Sequence, residues 1–237
     1  MAQITFTNTI DLPKLHPPKP ASQCIPDWYK DMESYVDNKK IPAAEGASNA
    51  TIKRCMPVFD SITSGYILFT FADVWITQKP YVTDSGEERV GPFYEWPSFI
   101  PIEWHPVDQA PNHPLAQVNP YPKWMNPWSI KTPPGYSTMI VSPVHRDLPF
   151  TLLSGVVDTD LYTAPINFPF VLNDLNFEGL IPSGTPMAQV IPFKREIWEM
   201  NIGNEEDFKQ QDQVYRSIRT KFFDSYKSQY RQIKEYR

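Results

Sequence analysis

Cysteine and glycine are the scarce residues of this 237-residue chain, with two of the first and nine of the second. Cys24 and Cys55 stand far apart, so they form neither the disulfide framework of a small secreted domain nor a Cys-x-x-Cys metal pair. Long apolar runs are missing too, and nothing approaches the roughly 20 residues a membrane helix needs. The opening MAQITFTNTIDLPKL lacks a cationic stretch followed by an apolar one. No secretory signal is read there, and a cytoplasmic location is expected, the host's cytoplasm if the gene is viral. Basic clusters are absent as well: 22 Lys and Arg face 27 Asp and Glu, for a net charge of −5. A groove for duplex nucleic acid needs clustered cations, so neither a duplex nor a membrane is an expected partner. A nucleotide asks for only a few cations, and the charge leaves room for one.

Proline is abundant instead, with 26 residues. Each locks φ and removes an N–H, which breaks strands into short pieces and excludes long helices. The chain before residue 195 is therefore expected to be strands and extended loops. A hydrophobic content of 41% suffices for a core, and a chain of this length buries about 70% of its unfolded surface. The expectation is a single mostly-β domain with additions.

Along the chain, residues 1–50 read as an N-terminal arm with an edge strand at 3–7, a short helix from Trp28 to Val36 and a small-residue linker at 41–50. Strands are expected from Thr51 to Pro57, at 65–71 and at 73–76, since these runs are β-branched and aromatic between turn residues. Residues 78–127 form a proline- and tryptophan-rich insertion, expected to wrap the core with one or two edge strands. Strands follow at 128–132, 136–142, 150–157, 165–172, 176–181 and 187–193, separated by Pro133-Pro134-Gly135, Asn173-Asp174 and Pro182-Ser183-Gly184. The tail, 196–237, changes period. Phe208, Tyr215, Phe222, Tyr226, Tyr230 and Ile233 recur at helical spacing, and acids at 205–207 precede cations at 231–237. One amphipathic helix over 205–235, burying Tyr215, Phe222, Tyr226 and Tyr230, is expected.

Three segments carry a resemblance. The first is Gly155-Val156-Val157-Asp158-Thr159-Asp160. The second is Ile181-Pro182-Ser183-Gly184-Thr185-Pro186-Met187-Ala188-Gln189-Val190-Ile191. The third is Pro133-Pro134-Gly135-Tyr136 with the downstream Ser142-Pro143-Val144-His145-Arg146. In this order they resemble the dUTPase and dCTP deaminase superfamily, and Ser64-Gly65-Tyr66-Ile67-Leu68 is similar to that superfamily's early Ala-Gly-Tyr-Asp-Leu motif. The chain also resembles a family of uncharacterised bacterial and phage proteins with the same Thr-Pro-Pro-Gly and Gly-Val-Val-Asp/Glu pattern.

The resemblance implies a dUTPase-like β-clip or barrel over 51–195, with the C-terminal helix appended. It implies a protruding hairpin at 155–172 that starts at Asp158. It further implies a site in which Asp158 orients the attacking water and Gln189 and Arg146 contact phosphates. Ser142, His145 and Tyr162 would complete the substrate-binding set, and Mg²⁺ would arrive with the nucleotide, with no resident metal or other cofactor. A homo-oligomer, the superfamily's trimer, is implied as well.

The chain also departs from the pattern. Leu161 stands where the deoxyribose-stacking Tyr belongs, and Tyr162 follows it. Residues 195–237 hold one glycine, Gly203, where dUTPases carry a glycine-rich arm whose bare N–H groups approach phosphate closely. For the deaminase branch Glu178 is the only nearby carboxylate of the right type, and it lies beyond the expected place.

Two readings stand. One is a divergent dUTPase-like protein that binds or hydrolyses a pyrimidine deoxynucleotide, a nucleotide pyrophosphohydrolase if active, with the family's usual catalysis altered or lost. The other is a non-enzymatic structural or interaction protein on the same barrel. Simpler roles compete at each residue. Asp158 and Asp160 are also ordinary turn carboxylates, Gln189 a buried amide on backbone, and His145-Arg146-Asp147 a solvated loop. His105 and His113 lack a third ligand at zinc spacing.

Overall fold

A computed structural model describes residues 2–10, 15–41, 49–83, 85–97, 100–105, 113–114, 121–220 and 224–237. The chain is mostly β and divides into two compact units, Met1–Ala21 with Gly65–Arg195, and Ser22–Ser64 with Glu196–Arg237. No helix among the described residues is long and apolar enough to cross a membrane.

The first unit holds the strands. They are β1 Thr5–Asn8, β2 Lys19–Pro20, β3 Tyr66–Phe69, β4 Val74–Val82, β5 Glu88–Glu95, β6 Ile102–Trp104 and β7 Pro122–Trp124. Then follow β8 Trp128–Lys131, β9 Tyr136–Val141, β10 Phe150–Leu152, β11 Gly155–Val157, β12 Phe168–Leu172, β13 Gly179–Ile181 and β14 Pro186–Lys194. They form antiparallel sheets in the orders β11-β9-β14-β3-β2, β10-β12-β7-β6, β13-β4-β5 and β1-β8.

In the five-stranded sheet the pairing Gln189↔Val141 through Lys194↔Tyr136 runs β14 along the whole of β9. Thr138 and Ile140 of β9 and Met187, Ala188 and Val190 of β14 are buried, while Met139 is exposed. Gly65 leads into β3 with φ of +70°, and a Cβ there would lie 2.1 Å from the Val190 carbonyl oxygen. Only glycine permits this approach of the two chains.

The four-stranded sheet carries the aromatic core. Trp124 stacks on Phe170 at 4.7 Å and 16°, and Phe150 meets both edge-on. Trp124 belongs to the stretch 78–127 that the sequence reading treats as a wrapping. The structure corrects this: β7 is an interior strand between β12 and β6, and Trp124 is 1% exposed. Proline does not exclude an interior strand when the strand is three residues long and the proline sits at its first position, as Pro122 does.

A second correction concerns 150–172. The expected strand 150–157 is two strands, and no hairpin joins β11 to β12. β11 pairs with β9, whereas β12 pairs with β10 and β7 in another sheet.

The second unit is helical. Its helices are α1 Asp27–Asp31, α2 Met56–Thr63 and α3 Glu205–Thr220. The expected strand over Thr51–Pro57 is instead a 3-10 turn, Ile52–Arg54, followed by α2. Pro57 lies in the first turn, where its missing N–H and fixed φ favour a helix start. The helix expected from Trp28 to Val36 ends at Asp31. Tyr29 is 4% exposed, packs on Phe59 at 5.9 Å and donates its hydroxyl to the Lys53 carbonyl.

α3 starts where the acids predict. Asn204 caps the Glu206 and Asp207 N–H groups, and Asp207 Oδ2 accepts the Asn204 N–H in return, a reciprocal capping box. It does not run to residue 235. Asp224 has a left-handed φ of 63°, and a separate π-helical turn covers Tyr226–Tyr230. Tyr215, Tyr226 and Tyr230 are exposed rather than buried. Phe222 and most of the expected linker at 41–50 lie outside the described residues.

Candidate functional site

The residues singled out in the sequence fall into two clusters at opposite ends of β9. The first forms where β11 leaves the sheet. Its register, Val157↔Thr138, brings the Asp158-Thr159-Asp160 turn over the start of β9. Asp158 Oδ1 accepts from Ser137 Oγ at 2.6 Å and from Arg195 Nη1 at 3.1 Å. Asp160 takes the stronger hold. Its Oδ1 accepts Arg195 Nη1 at 2.8 Å, and its Oδ2 accepts Arg195 Nη2 at 2.5 Å and the Gly135 N–H at 2.8 Å. Its side chain is 5% exposed, against 57% for Asp158. The Arg195 fork, helped by the Gly135 N–H, holds the Asp160 carboxyl down at about 2. The same pairing raises the Arg195 guanidinium.

Between the two acids, Thr159 is 0% exposed. Its hydroxyl meets Thr138 Oγ1 at 2.8 Å and Thr132 Oγ1 at 2.7 Å, and Thr132 in turn donates to the Tyr136 carbonyl. One donor per hydroxyl satisfies the whole chain, from Thr138 through Thr159 and Thr132 to that carbonyl. The turn is thus fixed from beneath by threonines and from outside by Arg195.

The second cluster lies at the far end of β9. Gln189 is 1% exposed, and its Oε1 accepts the Val144 N–H at 3.1 Å. Ser142 Oγ accepts the Leu152 N–H at 2.7 Å, which ties the same turn to β10. His145 is exposed and holds a left-handed φ of 54°, and Arg146 beside it is half-buried. Leu161 and Tyr162 are exposed on the turn after Asp158, with the Tyr162 N–H donating to the Asp158 carbonyl.

The sheet register sets the spacing. Asp158 adjoins Ser137 and Gln189 sits opposite Val141, four positions further along β9, which is roughly 14 Å of strand. Asp158, Asp160 and Arg195 come together, as do Gln189, Ser142 and the His145–Arg146 turn. The structure does not bring Asp158 and Gln189 into contact.

Arg195, Ser137 and the threonines Thr132 and Thr138 are not picked out by the sequence reading. A signal for Arg195 exists. It is the first residue after β14, and once 187–193 is paired antiparallel with 136–142 it must fall opposite Gly135, at the Asp turn. The Arg195 N–H indeed donates to the Gly135 carbonyl at 2.8 Å.

Both Asp160 oxygens are taken by Arg195 and the Gly135 N–H, so this carboxylate does not fit a metal-ligand role, whereas the Asp158 side chain stays 57% exposed. Glu178 is engaged as well, its Oε1 accepting the Gln78 N–H of β4 at 2.9 Å. His105 lies against Tyr121 at 4.9 Å. No group of three or more His, Cys, Asp or Glu able to hold a metal occurs among the described residues. No protein-family model matches the chain, and no curated protein matches it significantly.

Proposed function

We propose that the chain is a non-enzymatic structural or interaction protein on a dUTPase-like β framework, with the acid turn that would serve water activation held instead as a structural element. The observation that carries this reading is the Arg195 fork. A general base must be able to receive a proton near the working pH and reach a water beside the reacting phosphorus. Here Asp158 already accepts from Ser137 and Arg195, and Asp160 is gripped on both oxygens. Gln189, the phosphate ligand in the alternative reading, faces the interior and holds the Val144 backbone.

The alternative, a pyrimidine-deoxynucleotide ligand at Asp158 and Tyr162 with Arg146 and His145 on its phosphates, draws on the exposure of Asp158, Tyr162 and His145. One experiment decides between the two: a thermal-shift screen of the full chain against all deoxynucleotides, with and without Mg²⁺. A ligand at 100 times its Kd stabilises by about 2.7 kcal/mol, a clear shift. The proposal expects none. A shift that Arg146→Ala removes and Arg195→Ala leaves unchanged would overturn it.

A further inference from the structure

Among the described residues the four most exposed large apolar side chains lie within six positions of one another. Ile197, Trp198, Met200 and Ile202 are 103%, 84%, 88% and 85% exposed, on a segment with neither helix nor strand that leads into α3. α3 continues the pattern. Phe208, Val214, Tyr215 and Ile218 project on one side of the helix at spacings of three, four and seven, and all are exposed. An aromatic side chain carries roughly 150–250 Å². These eight residues together therefore leave on the order of 1,000 Å² in water, against about 800 Å² per partner in a standard interface. Monomeric proteins rarely leave so large a contiguous apolar surface uncovered.

Charge identifies what covers it. Residues 196–208 carry five acids, Glu196, Glu199, Glu205, Glu206 and Asp207, and no Lys or Arg. Residues 209–221, the rest of α3 and what directly follows it, carry four Lys and Arg against one acid. The tail is therefore acidic at its start and basic at its end, with the apolar stripe running between. Such a segment is complementary to itself reversed. The positive end of one copy meets the negative end of another, and a two-fold axis satisfies both ends at once, as an isologous interface requires. The pairs inside one copy, Lys209 with Glu205 and Arg216 with Asp212, are exposed i,i+4 contacts. They are weak enough to exchange for contacts across an interface.

We propose that two copies of this chain associate through residues 196–218, with α3 antiparallel to its two-fold mate. In this arrangement Glu206 of one copy faces the second copy's Arg216, and Phe208 faces its Val214. The apolar arm of each copy lies along the last turns of the other's α3, where Ser217 Oγ already meets Tyr230 Oη at 2.8 Å. The inference deepens the reading of the chain as an interaction protein. It rests on that reading yet is tested by mass alone, whereas the nucleotide screen reads ligand binding.

Sedimentation equilibrium of the full chain should give twice the 27.4 kDa protomer mass. Trp198→Ser with Met200→Ser should raise the dissociation constant by at least about tenfold. The melting transition, extrapolated to dilute protein, should stay unchanged, because both side chains are solvent-exposed in the protomer. Glu205→Lys with Glu206→Lys should also give monomers, as should Arg216→Glu. Mixing the two charge-reversed proteins should restore dimers. A monomeric wild type would overturn the proposal, and so would a dimer indifferent to the arm substitutions. Failure of the mixture to dimerise would overturn the antiparallel pairing of α3. An assembly that forms only with a different protein would show that the surface serves another partner.

Discussion

Arg231 closes on Asp60 across 171 positions of chain, with Nη2 at 2.6 Å and Nε at 3.1 Å from Oδ1, while its guanidinium lies 5.6 Å from the Phe59 ring centroid. Lys234 adds its ammonium at 3.0 Å from Oδ2. Asp60 is 8% exposed, and the Arg231 fork holds its carboxyl below the usual range. One acid on α2 thereby anchors the end of the chain. Asp60→Ala leaves two cations without their shared acceptor and should cost roughly 1.5–3 kcal/mol. Arg231→Ala should cost a similar amount. Because the two residues serve one contact, the double variant should be little worse than either single one in urea unfolding. Strict additivity would show that the pair is incidental.

The Asp160–Arg195 pair should govern acid stability in the β unit. The folded-state value for Asp160, about 2, lies below the ordinary 3.8. Its contribution is therefore complete above about pH 4 and fades as the pH falls through about 2. Asp60 shifts in the same direction and acts likewise in the helical unit. Arg195→Ala should lower the melting temperature at neutral pH and reduce the loss of stability between pH 4 and pH 2. Asp158→Asn should do much less, since that side chain is 57% exposed and carries a single contact to Arg195. An Asp158→Asn penalty equal to that of Arg195→Ala would contradict the assignment of the grip to Asp160.

Much of the β unit is readable before any coordinates. The run Met187-Ala188-Gln189-Val190-Ile191 and the alternation across 136–141 give β14 and β9 almost to their ends, because each strand is long and bounded by Pro or Gly turns. Partner choice is not readable in this way. Nothing local to Gly155-Val156-Val157 says that it pairs with β9 rather than with the segment that follows it. Composition misleads where proline is dense, since Trp124 is a core residue inside a stretch whose prolines suggest a surface path. In the tail the helical period is real up to Thr220. Asp224 takes a left-handed backbone and pairs with Arg54, a contact from a segment 170 positions earlier, so no single helix runs through it to residue 235. In the candidate site the acids are conspicuous, whereas Arg195 is a residue of ordinary context until the β9–β14 register is known.

Gly65 should tolerate no side chain. At φ of +70° an L-residue is strained by about 1–3 kcal/mol. Here a Cβ also meets the Val190 carbonyl oxygen at 2.1 Å, with backbone on both sides and nothing flexible to give way. Gly65→Ala should therefore lower the melting temperature well beyond the effect of Gly86→Ala. Gly86 has a similar φ of +80°, but a Cβ there meets nothing within 4 Å. Equal losses at the two positions would mean that backbone strain alone, and not the closeness of β3 to β14, sets the cost.

Gln189 separates a structural role from a ligand-binding one most sharply. Its amide is buried, and its Oε1 accepts the Val144 N–H in the turn that presents His145 and Arg146. Gln189→Leu keeps the volume and apolar surroundings but removes that acceptor, leaving a buried N–H unpaired at a cost of roughly 1–3 kcal/mol. The loss should appear without any ligand, as a lower melting temperature and as faster hydrogen exchange at Val144. Exchange across the β9–β14 pairing should follow only the global change in stability. Gln189→Glu should retain more stability, because a carboxylate or carboxyl oxygen can still accept from Val144, although a buried negative charge adds its own penalty. A phosphate ligand residue behaves differently: its replacement leaves the unliganded protein nearly as stable and changes only the response to nucleotide. If Gln189→Leu melts with the wild type and Val144 exchanges at the wild-type rate, the Oε1 contact is not what holds the turn. The amide would then be available to the ligand that the alternative reading requires.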